Sequence, residues 1–321
     1  MNAQHTRPRW NGAHLGLLAG LSAWLVTAHL AGWPLGLAAL IATAGTLAWL
    51  AGAEWLWPHR DEWVPSRADL RRDGAWFLAA AVADSGAKWL VRGAALWLGP
   101  WLAAPVFVQD WPLWLAVPLA LVVGEFGAYW LHRGEHAGGW LWRVHALHHA
   151  PAAVNLTNNV TIHPVNVLIV DVVRVLPLLL LGFSAEAVVY AGVYAQAQSF
   201  ATHANTPGTM GWLNYVIGTA ELHRRHHSAV VAEALNFGTA VPLWDQLFGT
   251  FRFRRTGEPR LVGLSQPAEY PSLGDLKGWW LYPWRRARTA ASSAPAPDNR
   301  GFTPEEIPCS STSIRTPATR S

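Results

Sequence analysis

The stretch WLHRGEHAGGWLWRVHALHH, residues 130–149, decides how this chain is read. It carries His132 and His136 as H-x-x-x-H, then His145, His148 and His149 as H-x-x-H-H. A second H-x-x-H-H, formed by His223, His226 and His227 in HRRHH, lies downstream, with His163 in IHP and His203 in THAN between. Ten of the fourteen histidines therefore fall between His132 and His227. In a helix, positions i, i+3 and i+4 share a face, so each set can bring its imidazoles together. Crowding these groups near neutral pH costs desolvation and repulsion unless a metal holds them. Eight to ten such ligands exceed the roughly four to six that one ion takes, so the pattern predicts two metals; an all-imidazole shell suits iron, zinc or copper. Glu125, upstream of His132, is a candidate acceptor behind a ligand ring, or else a carboxylate hydrogen-bonded within the helix bundle.

The sequence around this stretch describes a membrane protein. Of 321 residues, 51% are hydrophobic, 14% are charged and 21 are tryptophan, leaving apolar runs long enough to cross a bilayer. Runs at 13–31, 34–56, 76–98, 111–131, 165–182 and 184–201 predict six transmembrane helices in hairpins. The expected fold class is an all-α integral membrane bundle with a histidine-rich cytoplasmic cap. The third run is the least apolar: Asp84, Lys88 and Arg92 recur at i, i+4 and i+8, a polar stripe along one face. Asp171 and Arg174 are spaced for an ion pair within the fifth run. The apolar run at 14–31 is longer than a signal-peptide core and lacks a clear A-x-A site, so no cleavage is expected.

Charge sets the orientation. The formal net charge of +4 is carried almost wholly by arginine, Lys88 and Lys277 being the only lysines. These arginines flank apolar segments, which argues for the positive-inside bias and anionic lipid rather than nucleic acid. The N-terminus, the loop 58–74, the segment 132–163 and everything after 203 would share one side; the turns 32–34, 99–110 and 182–184 would share the other. Loop arginines fall only on the first side, which should be cytoplasmic and which also holds every histidine set. Trp33, Trp57, Trp76, Trp101, Trp111 and Trp130 fall near run ends, as an interfacial belt would place them. Cys309 is the only cysteine, so neither a disulfide nor a thiolate metal site is available.

The chain is expected to divide into a membrane hairpin with a basic loop (1–75), a histidine-bearing membrane domain (76–251), a basic and aromatic segment suited to the membrane surface (252–288) and a Pro/Ser/Thr-rich tail (289–321) expected to be disordered.

The order H-x-x-x-H, H-x-x-H-H, H-P, T-H-x-N, H-x-x-H-H, then N-F-G and W-D-x-L-F-G-T-F, resembles the fatty acid hydroxylase/sterol desaturase superfamily over about residues 120–251. EFGAYWLHRGEH (125–136) is similar to that family's D-x-x-x-Y-W-x-H-R-x-x-H, with Glu125 replacing the aspartate; Gln198 and Ser199 stand where some members carry a further histidine. The resemblance implies a non-haem centre of two iron ions that uses O2 to hydroxylate a lipid at an unactivated C–H bond. The lipid would be fatty acyl, sterol-like or an aminolipid. Desaturation at the same centre is the alternative. It also implies His132, His136, His145, His148, His149, His163, His203, His223, His226 and His227 as iron ligands. A fused H-P-G-G or G-x-G-x-x-G segment is not evident, so electrons would come from a separate ferredoxin- or cytochrome b5-like donor with its reductase. The expected location is a bacterial inner membrane. Fixed spacing on rim segments argues against a metal transporter, whose ligands lie at mid-membrane. Adjacent imidazoles in H-x-x-H-H argue against a di-haem cytochrome.

Overall fold

The computed structural model describes residues 10–98, 108–253 and 258–285. The first helix, α1 (Gly12–Leu30), starts where the Asn11 side chain accepts the His14 backbone N–H at 3.1 Å. A turn with Gly32 at φ +66° leads to Pro34 and α2 (Leu35–Leu56). Only glycine reaches that φ without steric cost, so the hairpin closes there. Leu17, Leu21, Leu25 and Ala28 on α1, with Ala38, Ala42 and Leu50 on α2, form the buried stripe of this pair. The outward faces carry exposed Val26, Leu30, Leu40 and Trp55, as expected of helices solvated by lipid.

The next helix, α3, runs from Arg67 to Leu98 and corrects the expected loop at 58–74. Its start is a capping box: Ser66 and Asp69 exchange hydrogen bonds, with the Ser66 N–H donating to Asp69 Oδ2 at 3.0 Å and the Asp69 N–H to Ser66 Oγ at 3.2 Å. The charged residues after Ser66 are therefore the first turns of a long helix. Most of the expected turn at 99–110, and the tail at 289–321, lie outside the described residues.

Then follow α4 (Leu113–Glu135), the short α5 (Gly139–His145), α6 (Pro164–Leu180), α7 (Ala185–His203), α8 (Ala220–His226), α9 (Leu243–Leu247) and α10 (Leu276–Leu281). Among the described residues there is no β-strand, only two isolated bridges. α3 and α4 pack on α6, and α2 and α4 on α7. The α4–α6 crossing is close because Gly124 and Gly127 face it: a Cβ on Gly127 would overlap the Val173 carbonyl. Arg174 pairs with Glu125 across this crossing at 3.4 Å, not with Asp171 as its spacing suggested. The polar stripe on α3 is partly satisfied within the helix, Lys88 reaching Asp84 at 2.7 Å.

Among the described residues, three helices, α1, α2 and α4, are long and apolar enough to span a bilayer. α6 has 17 residues, or ~26 Å of helix against a hydrocarbon core of ~30 Å. α3 carries its charged stripe, and α7 carries Gln196 and Gln198 in its second half.

Candidate metal centre

Candidate ligand rings arrive from four places at one end of the bundle. The last turn of α4 supplies His132, and His136 caps that helix. His145 ends α5, and His148 and His149 sit in the turn after it. α7 ends in His203. Thr219 caps α8 by accepting the Leu222 N–H, and the helix then presents His223 and His226, with His227 as its C-cap.

The rings sort into two groups whose candidate ligand nitrogens lie within 4.8 Å of one another: His132, His136, His145, His149 and His226 in one, His148, His203, His223 and His227 in the other. Both H-x-x-H-H sets are split between the groups. In the first set His145 and His149 face one group and His148 the other; in the second, His226 faces the first group while His223 and His227 face the second.

Within the first group, His145 Nε2 lies 3.1 Å from His132 Nε2 and 3.2 Å from His149 Nε2. Within the second, His203 Nε2 is 3.1 Å from His148 Nε2, and His227 Nε2 is 3.1 Å from His223 Nε2. With metal–imidazole bonds of about 2.1 Å, neighbouring ligands stand about 3.0 Å apart at right angles and about 3.4 Å apart in a tetrahedron. The observed spacings fall in that range. His136 Nε2 and His226 Nε2 are buried with no hydrogen-bond partner, the state of a ring nitrogen kept for another acceptor of its lone pair. The donor set therefore fits two metal ions.

Burial pushes the His145 imidazole down to about 4. Burial, reinforced by the neighbouring imidazoles, also holds His148, His149, His223, His226 and His227 well below their ordinary value. All six are thus neutral at physiological pH, the form that ligates a metal.

The opposite ring nitrogens are held from behind. His132 Nδ1 donates to the Phe237 carbonyl at 2.7 Å, and His226 Nδ1 to that of Leu235 at 3.2 Å. His145 Nδ1 lies 2.9 Å from Asn166 Oδ1 and 3.2 Å from Glu135 Oε2, while Asn166 Nδ2 donates to the other Glu135 oxygen. His203 Nδ1 donates to Asn158 Oδ1 at 3.1 Å. Such partners fix the tautomer and the aim of a ligand ring. The WDxLFG segment acts one step further out. Buried Asp245 accepts the N–H groups of Phe237 and Gly238, both at 2.7 Å, and so fixes the loop whose carbonyl holds His132.

Two expected site residues lie elsewhere. His163 caps α6: its Nδ1 accepts the Val165 N–H at 3.2 Å and its Nε2 donates to the Trp280 carbonyl at 3.2 Å, so both nitrogens are engaged outside the groups. Glu125 accepts the N–H groups of Thr239 and Ala240, and pairs with Arg174, rather than backing a ligand ring. Glu135, Asn158 and Asn166 were not singled out by sequence. Their signals were a glutamate inside HRGEH and asparagines beside His163, which spacing alone does not separate from ordinary polar residues.

Fold and site together define a helical protein with three described helices apolar enough to cross a membrane and nine clustered histidines, in two groups that could each hold a metal ion. Residues 117–250 match the fatty acid hydroxylase family model. Over this region the chain is similar to the fatty acid hydroxylase/sterol desaturase superfamily. Ornithine lipid hydroxylase OlsE of Rhizobium tropici is 38% identical over 144 residues, 44% of this chain and 44% of that protein. Alkylglycerol monooxygenase of Caenorhabditis elegans is 27% identical over 145 residues, 44% of this chain and 28% of that protein. A probable Delta(7)-sterol 5(6)-desaturase of Neurospora crassa is 27% identical over 143 residues, 44% of this chain and 40% of that protein. The chain thus spans less than half the length of these curated relatives. No solved structure matches it.

Proposed function

We propose that this protein is a membrane-bound oxidoreductase that hydroxylates a lipid at an unactivated C–H bond, with two iron ions held by the two histidine groups. The observation that carries the reading is the nine imidazoles, seven of them buried, sorted into two adjacent groups at the end of apolar helices. Iron bound there supplies O2 activation: one oxygen atom enters the C–H bond, and the other leaves as water with two electrons and two protons from a separate ferredoxin- or cytochrome b5-like donor. The protein's own share is to keep the rings neutral, aim them through Phe237, Leu235, Asn158 and the Glu135–Asn166 pair, and exclude bulk water by burial.

α3, α6 and α7 complete a six-span bundle in this reading, with the metal centre on the cytoplasmic side of a bacterial inner membrane. The segment 258–285 lies at the membrane surface, where exposed Trp280 and Trp284 meet lipid. The relative named for ornithine lipid makes an aminolipid the first substrate to test, ahead of other acyl lipids.

The test is metal analysis of purified protein together with whole-lipid mass spectra from cells with and without the gene. About two irons per chain and a lipid gaining one oxygen support hydroxylation. A lipid losing two hydrogens would instead establish desaturation, the activity named in the Neurospora relative. Both metal and product should disappear in His148→Ala and His226→Ala. Metal uptake into vesicles without lipid oxidation would overturn the reading.

A further inference from the structure

We infer that Glu54, at the end of α2 and outside the matched domain, is a positioning residue for the second histidine group, acting through the two segments that hold His203 in place. This rests on the reading of that group as a metal site. Glu54 is the only charged residue of α2, a helix otherwise suited to lipid, and one of its oxygens does two jobs. Oε1 accepts the backbone N–H of Leu156 at 2.7 Å and that of Asn205 at 2.5 Å.

These two N–H groups belong to two segments that each bear on His203. Asn205 lies in the turn that ends α7 just after His203. Leu156 lies in the segment Asn155–Asn158, whose last residue supplies the Oδ1 that takes the His203 Nδ1 proton. One carboxylate oxygen thus fixes both the ring's backbone and the ring's acceptor. Asn205 is clamped again by the chain after α2: it accepts the Arg60 N–H at 3.0 Å, donates to the Arg60 carbonyl at 2.8 Å and takes the His59 N–H on its own carbonyl at 2.8 Å. The N-terminal hairpin is therefore part of the metal centre's frame as well as a membrane element.

The role needs reach, not charge. Glu54→Gln keeps an acceptor oxygen at the same distance along the side chain, while Glu54→Asp keeps the charge and withdraws the oxygen by one methylene. Both remain polar, and folding is checked by helical circular dichroism. Metal per chain is the readout. Wild type and Glu54→Gln should hold about two ions, and Glu54→Asp about one. In the Glu54→Asp background, His203→Ala should then remove no further metal, whereas His132→Ala should remove the remaining ion. The inference is overturned if Glu54→Asp keeps both ions, if it loses both together, or if Glu54→Gln is the more damaging change. A wild type without metal would overturn the metal-centre reading and this inference with it, a result distinct from all the others.

Discussion

At the scale of single residues, the proposed metal centre depends on groups one hydrogen bond behind the imidazoles. Glu135 and Asn166 share the Nδ1 proton of His145, and removing such a partner lowers metal affinity by roughly 10–100-fold. Asn166→Ala and Glu135→Leu should therefore weaken one metal by that factor in a chelator competition, with helical content unchanged; unaltered affinity would remove them from the site. Acid should act through the rings themselves. Free imidazole titrates at 6.5, and burial pushes His145 down to about 4, so between these values the unfolded chain binds more protons than the folded one. Stability of the metal-free protein should fall as pH drops through that window, read as a falling thermal midpoint; a flat midpoint would contradict it. Residue identity was legible in part. The three spaced sets marked eight of the rings that meet and THAN marked His203, but spacing gave no sign that each H-x-x-H-H set divides between two groups. The sequence also marked His163, whose spacing carries no sign that the Val165 N–H and the Trp280 carbonyl take both of its nitrogens.

At the scale of elements, apolar runs set the helices and local chemistry set their ends. The run at 76–98 located α3 but missed its first turns, since Ser66 and Asp69 start a helix through hydrogen bonds that hydropathy does not register. Ser66→Ala should cost about 1 kcal/mol as a lost N-cap. The α4–α6 crossing was not legible at all, because a glycine in an apolar run reads the same whether it faces lipid or another backbone. Gly127→Val forces a side chain into the Val173 carbonyl and should destabilise the protein by about 1–3 kcal/mol, as overpacking does. Gly192→Ala in α7, where an added Cβ meets nothing within 4 Å, is the control and should leave the thermal midpoint unchanged or raised. Equal loss in both variants would place the constraint elsewhere than in that crossing.

At the scale of the whole molecule, the matched domain ends where its supports do not. Trp63 accepts from Asn155 through its carbonyl at 2.8 Å, and Asp73 takes the hydroxyls of Thr157 and Thr161 at 2.8 and 2.7 Å. Glu258 meets Arg224, buried between ligands of α8, at 3.1 Å. Burial would raise the Glu258 carboxyl, but the His59 hydrogen bond and the Arg224 and Arg60 charges outweigh it and hold it down at about 2. A protein trimmed to 117–250 should therefore bind no metal and lose helical signal, measured by metal analysis and circular dichroism. These long-range supports were invisible to a reading of spacing, which sees neighbours along the chain and not across it. The same ties bear on grafting. A histidine region moved into another chain as a unit would arrive without Glu54, Asp73 and Glu258 to meet its loops. In this chain the flanks and the histidine region are therefore one mechanical unit, and a graft of the core alone would need new partners for the groups that Glu54, Asp73 and Glu258 hold.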